Sequence, residues 1–467
     1  MLRVNLISFL FGVMILQFLT GLDLFTAGFL CSQQSLVVAK PENLKVGTTK
    51  PQLEKSRVCV MKGSSDEEPP CNQYERIVAR YQAFSASERK LIQSDSAVFF
   101  AVAALQAIPF LNLSREASLA YFMVLAVTTV YLGAKRTDLV SPLEAGKPVV
   151  TKQIAILAPI ASSISLFTVY LLQKYTDLHP ETIYRLVATF FGAINSSLMF
   201  GALVRTVFPS LGEQKVPIPQ ILEGPVPEGA PEDYRAEASV SDVVGSALGC
   251  SLAALYLSPL PLSQTFVCNN IIAWAIAMQS LGLITLQSFA IACAFLMGLF
   301  FYDIWWVYGT DVMMTVATNV EAPIKFLYPF NPTLLAQAAD AGTPRYPFSV
   351  LGLGDVVIPG IFCAMMRKID QNGFPGKAPA VKDGDLNQDS KYSYFTSAVA
   401  GYAFGLGLTF VVNQVTKTGQ PALLFLNPSI ISSAVVTAIL NNELSQLLSY
   451  NDVDDKADGI EPSSSKL

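Results

Sequence analysis

Apolar positions in this chain come in long uninterrupted blocks, not at the spacing of two or three to four residues that marks half-buried elements of a water-soluble fold. The blocks lie near 96–111, 119–134, 153–172, 183–204, 238–257, 266–284, 288–309, 349–366, 393–414 and 421–440. Most are long enough to cross about 30 Å of hydrocarbon as helix, and the first two are marginal. The pattern predicts an all-α polytopic membrane protein with about nine spans from 119 onward. Between Asp242 and Asp303 there is no Asp, Glu, Lys, Arg or His, which leaves room for three helices with short connections. Gly245 and Gly249, and again Gly401 and Gly405, offer small faces for close helix packing.

Outside the blocks the chain divides into four regions. Residues 1–30 carry Arg3 and then the apolar stretch Val4 to Leu19, which fits a signal peptide or a membrane anchor. Residues 31–95 are a polar extension too poor in apolar side chains for a firm core. Residues 96–440 form the membrane domain, and 441–467 a polar tail. Lys and Arg are uneven across the connectors. Alternate connectors hold twelve (Lys135, Arg136, Lys147, Lys152, Arg205, Lys215, Arg235, Arg367, Lys368, Lys377, Lys382 and Lys391), against five in the opposite set (Lys174, Arg185, Lys325, Arg345 and Lys417). The bias predicts that the first set and the C-terminus face the cytosol and the 310–348 connector the other side.

Composition narrows the chemistry. Hydrophobic residues make up 52% of the chain and charged residues 14%, with a mean hydropathy of +0.43, where soluble domains have about 25% charged residues. A net charge of −5 offers no basic patch for nucleic acid. The single histidine, His179, precedes Pro180 in a polar connector, which argues against a Ser/His protease or an HExxH zinc site. No two of the seven cysteines stand in a CxxC pair, so no metal site is expected; Cys59 and Cys71 could pair only on an oxidising side. Asn112-Leu113-Ser114 is a glycosylation sequon lying too near the bilayer for easy use.

Two carboxylates remain to be explained. Asp303 and Asp355 each interrupt an apolar block, and an aspartate near a helix centre costs roughly 2.5 to 3.5 kcal/mol on insertion scales. Asp303 is six residues before the end of its block, and Asp355 six after the start of the next. In consecutive antiparallel spans both would lie about 9 Å below one membrane face. Low dielectric and mutual repulsion would leave the pair one shared proton near neutral pH, the state in which one carboxylate activates water and the other hydrogen-bonds a scissile carbonyl. The competing interpretation is that each aspartate caps a neighbouring helix. A proton- or cation-coupled transporter would also use intramembrane acids, but no second copy of the arrangement appears in the sequence, as repeated transporter halves would require.

The motifs around these residues carry a resemblance. Tyr302-Asp303, then Gly352-Leu353-Gly354-Asp355, then Pro421-Ala422-Leu423, in that order on three late spans, resemble the GxGD intramembrane aspartyl proteases. The wording from Tyr302 to Thr310, Glu321-Ala322-Pro323-Ile324-Lys325, and Leu351 through Phe362 are similar to signal peptide peptidase rather than presenilin, and Asn269-Asn270 fits as well. The likeness runs from roughly 150 to 450. It implies a nine-helix, presenilin-like bundle with an N-terminal extension, in the endoplasmic reticulum membrane with a cytosolic C-terminus. It implies an endopeptidase that cuts remnant signal peptides and type II anchors within the bilayer. Asp303 and Asp355 would be the catalytic pair, with Tyr302, Gly352, Gly354, Pro421, Ala422 and Leu423 shaping the site. No metal or organic cofactor is implied, and homo-oligomers are left open.

Overall fold

The computed structural model describes residues 38–39, 95–111, 115–140, 149–175, 180–212, 214–217, 236–310, 312–329, 348–374, 381–382, 385–386, 392–416 and 419–451. Most of the N-terminal 94 residues, the Cys59/Cys71 pair, the Asn112 sequon, His179 and the chain beyond 451 lie outside the described residues.

The α-helices of six residues or more are α1 (Ser96–Leu105), α2 (Arg115–Val140), α3 (Lys152–Tyr175), α4 (Pro180–Val207), α5 (Val240–Leu257), α6 (Leu262–Leu283), α7 (Phe289–Tyr308), α8 (Val312–Asn319), α9 (Gly354–Asn372), α10 (Tyr394–Thr416), α11 (Leu423–Leu440) and α12 (Leu444–Ser449). Among the described residues, nine of these run 18 to 28 residues. Seven are long and apolar enough to cross a membrane. The two that fall short, α6 and α9, lie in the middle of the bundle. Ile272, Ala273, Ala275, Ala277 and Leu281 of α6 are fully buried, and so are Val356, Phe362, Cys363 and Met366 of α9. A helix wrapped by other helices meets little lipid, so it can carry asparagines or an aspartate that a lipid-facing helix could not.

Close approach of helices depends on the glycines singled out in the sequence. A methyl at Gly245 would come within 2.6 Å of Gly201 Cα, and one at Gly249 within 2.8 Å of Ala193 O, so α5 lies directly against the backbone of α4. A methyl at Gly405 would reach 2.9 Å from Phe425 O, which places α10 equally close to α11.

One open point is decided and two expectations change. The 96–111 block does not span: α1 has ten residues, and a short 3-10 turn with Pro109 follows at Ile108–Leu111. The 349–366 block is not helix throughout. Its first residues form strand β2 (Phe348–Gly352), antiparallel to β1 (Lys325–Pro329), and α9 starts only at Gly354. Asp355 therefore sits in the first turn of its helix, and the depth computed from six residues of helical rise does not hold for it. The cause is local, since Gly352 and Gly354 resist helix while a ready strand partner lies opposite.

The second change is at 441, where the expected polar tail begins with residues that pack into the fold. Asn441 bonds both backbone groups of Tyr392 (3.1 and 2.9 Å), and buried Glu443 accepts the Tyr394 hydroxyl at 2.8 Å. Leu447 and Tyr450 enter the main core, and Phe289 N–H donates to Tyr450 O at 3.3 Å. The Tyr450 ring also meets Phe374, just past the end of α9, at 6.2 Å, so the segment from 441 to 451 joins the start of α7, the residues after α9 and the start of α10.

Candidate active site

Asp303 lies on the inner face of α7 and is 4% exposed. Its Oδ2 accepts the backbone N–H of Leu423 at 3.0 Å. Leu423 opens α11, and first-turn N–H groups have no partner within their own helix. Asp303 therefore does cap a neighbouring helix, and the cap is part of the Pro421-Ala422-Leu423 motif. Five residues further along α7 the Tyr308 hydroxyl donates to Gln420 Oε1, a second tie between α7 and the residues that lead into α11. One turn into α11, buried Asn427 donates to Leu296 O of α7 at 2.6 Å.

Asp355 is half-buried at the start of α9, within electrostatic range of Asp303. Its surroundings explain two further residues. Pro359 lies four residues on in the same helix and has no N–H to give, so the Asp355 carbonyl loses its normal helical donor. The hydroxyl of fully buried Tyr402, from α10, donates to that carbonyl at 3.2 Å. Tyr402 was not foreseen from the sequence; the signal available was the proline four positions after the aspartate.

The two glycines of the motif supply room, not unusual backbone. The one positive-φ glycine among the described residues is Gly373. A methyl at Gly352 would lie 3.5 Å from Asp355 Oδ2, and one at exposed Gly354 would meet only Ile358 Cδ1 at 3.8 Å. The approach to Asp355 is thus open on this side. Tyr302 lies next to Asp303 in α7 and is half-buried. All three motifs meet, with Asp303 from α7, Asp355 from α9 and Leu423 from α11.

The hairpin leads into this centre. Leu353 N–H donates to Ile324 O at 3.0 Å, and the register pairs Lys325 with Gly352 and Leu327 with Val350. In an antiparallel ladder hydrogen-bonded and non-bonded pairs alternate, so residues 325 and 327 turn their backbone groups away from β2, and 350 and 352 turn theirs away from β1. The edge of β1 is covered. Asn269 donates to Lys325 O at 2.7 Å, while Asn270 donates to Leu327 O and accepts Leu327 N–H, both at 2.8 Å. At the edge of β2 no described residue bonds Val350 or Gly352.

No cluster of three or more His, Cys, Asp or Glu side chains suited to a metal occurs among the described residues. A groove of about 550 Å³ runs between α10 and α11, lined by Gly401, Phe404, Ser429 and Ser433 among others, and neither aspartate lines it.

Comparison with known proteins identifies the family. Residues 143–454 match the family model described as signal peptide peptidase. The signal peptide peptidase of Homo sapiens is 31% identical over 328 residues, covering 68% of this chain and 80% of that protein. That of Mus musculus is 30% identical over 355 residues, covering 74% and 87%. A probable intramembrane protease of Schizosaccharomyces pombe is 30% identical over 337 residues, covering 71% and 94%. With this match over most of its membrane domain, the chain belongs to the signal peptide peptidase family and is a multi-pass intramembrane aspartic protease.

Proposed function

We propose that Asp303 and Asp355 are the catalytic pair and that Tyr302, Gly352, Gly354, Pro421, Ala422 and Leu423 shape the site around them. The observation that carries this reading is the convergence of three distant segments on two carboxyls, with the Leu423 N–H held by one of them. Sharing one proton, the pair divides the work. The ionised carboxylate takes a proton from water as it attacks, and the protonated one hydrogen-bonds the scissile carbonyl. Coupled groups titrate together, so neither residue is singled out as the base.

The substrates in this reading are remnant signal peptides and type II anchors, the protease domain begins at 96 and includes residues 441–451, and the protein resides in the endoplasmic reticulum membrane. Two relatives named signal peptide peptidase support the substrate class. The twelve-to-five Lys/Arg bias supports a cytosolic C-terminus. A glycosylation sequon placed in the 310–348 connector, clear of the bilayer, should be modified, and one placed after 451 should not. The reverse pattern in a gel-shift assay would refute the orientation.

A transmembrane helix satisfies its own amides and hides them behind side chains, so a dyad inside the membrane can cut only a locally unwound segment. The uncovered edge of β2 offers new partners for such a segment at Val350 and Gly352, by strand addition. Signal peptides carrying Ser, Gly or Cys in the apolar stretch should therefore be cut faster than all-leucine versions of equal length. Rates indifferent to these residues at matched binding would mean that unwinding does not select the substrate.

A further inference from the structure

We propose that Asn269 and Asn270 are positioning residues that decide which peptide bond of a substrate reaches the aspartates, by fixing the register of the hairpin from its covered edge. This rests on the pairing of substrate with β2 set out above.

The two asparagines are 1% and 0% exposed in the middle of α6, among fully buried apolar side chains. Two amides there are costly unless bonded, and the Asn269 Oδ1 has no partner among the described residues. Close packing alone would be served by leucine. What the amides do instead is hold one strand. Their three short bonds all end on the backbone of β1, at the two positions that face outward, Lys325 and Leu327. Asn270 offers Leu327 one donor and one acceptor, as the peptide of a neighbouring strand would.

This pattern resists slippage. A slip of one residue would turn the inward-facing groups of β1 toward the asparagines and break all three bonds. A slip of two that brought Pro329 to Asn270 would leave the Asn270 oxygen without a donor, because proline has no N–H. The hairpin register in turn fixes where Val350 and Gly352 stand, three residues and one residue before Leu353 in a chain that turns directly into α9. A substrate strand lying on β2 is thereby offered one alignment with the carboxyls. Strand pairing repeats every two residues, so a loosened hairpin should move the cut by two.

The test is the product spectrum, by mass spectrometry, of one defined transmembrane substrate cleaved by full-length purified protein. Asn270→Leu is close in size and cannot bond Leu327. It should yield cuts displaced by two residues, at about a tenth of the total or more, the redistribution expected from losing one or two net hydrogen bonds. Asn269→Leu, which loses the bond to Lys325 O, should give the same displaced cuts in smaller amount, and carries the test if Asn270→Leu does not accumulate. Tyr121→Phe removes a hydroxyl that lies 3.2 Å from Asn270 Nδ2 but none of the bonds to β1, and should keep the wild-type cut. Unmoved cuts in both asparagine variants, or equal displacement in Tyr121→Phe, would overturn the proposal. Pairing with β2 is checked separately by a substrate carrying backbone N-methyl groups beside the scissile bond. Wild-type protein should fail to cut it, and normal cleavage would refute strand pairing whatever the variants do.

Discussion

Asp303→Asn and Asp355→Asn should each reduce proteolysis to about 1% of wild type or less, the scale of loss when a general acid or base is removed, while the protein still inserts and accumulates. The shared-proton mechanism needs both carboxyls, so either change alone should suffice. Asn at 303 keeps an oxygen that can accept the Leu423 N–H, and this separates the two jobs the side chain performs. If capping α11 were its whole role, Asp303→Asn would be active. Asp303→Leu removes the cap as well and should be both inactive and less heat-stable than Asp303→Asn. Turnover above a few per cent by either purified asparagine variant would refute the catalytic assignment.

The second large effect is expected at Gly354. This residue is exposed, and a side chain built on it would meet little of the protein. Gly354→Leu should therefore leave the melting temperature nearly unchanged, as surface substitutions usually do. It should lower cleavage about a hundredfold or more, because the added side chain occupies the space beside Asp355 and a displacement of reacting groups by about 1 Å already costs that much. Gly354→Ala should retain most activity. Full activity in Gly354→Leu would mean that substrate reaches Asp355 from another direction.

The aspartates could be found in the sequence because a carboxylate in an apolar block is costly and calls for a partner or a role. The convergence of the three motifs was legible from their order and wording. What lay hidden was the conformation of the segments between them. Phe348 to Gly352 is apolar enough for helix or strand, and a short apolar run does not distinguish the two by periodicity. Its partner strand, Lys325 to Pro329, lies in what reads as a polar connector, so neither half of the hairpin announces the other. Tyr402 looks like any aromatic residue in a membrane span until the missing donor at Pro359 is considered. Glu443 and Asn441 suggest a solvated tail, and only the structure places Leu447 and Tyr450 in the core behind them.

That C-terminal fold has a mechanical consequence. It binds α7 at Phe289, whereas Asp303 lies 14 residues further along the same helix, roughly 20 Å away. The helices bearing the two carboxyls behave as the arms of a pair of tongs, pinned at the base by residues 441–451 and doing their work at the tips. A rotation of about 3° at the pin moves a tip by about 1 Å over that length, as much as the reacting groups can tolerate. On the proposed catalytic roles, the accuracy of the cut depends on the stiffness of this seam, which ties the last described residues of the chain to the first aspartate.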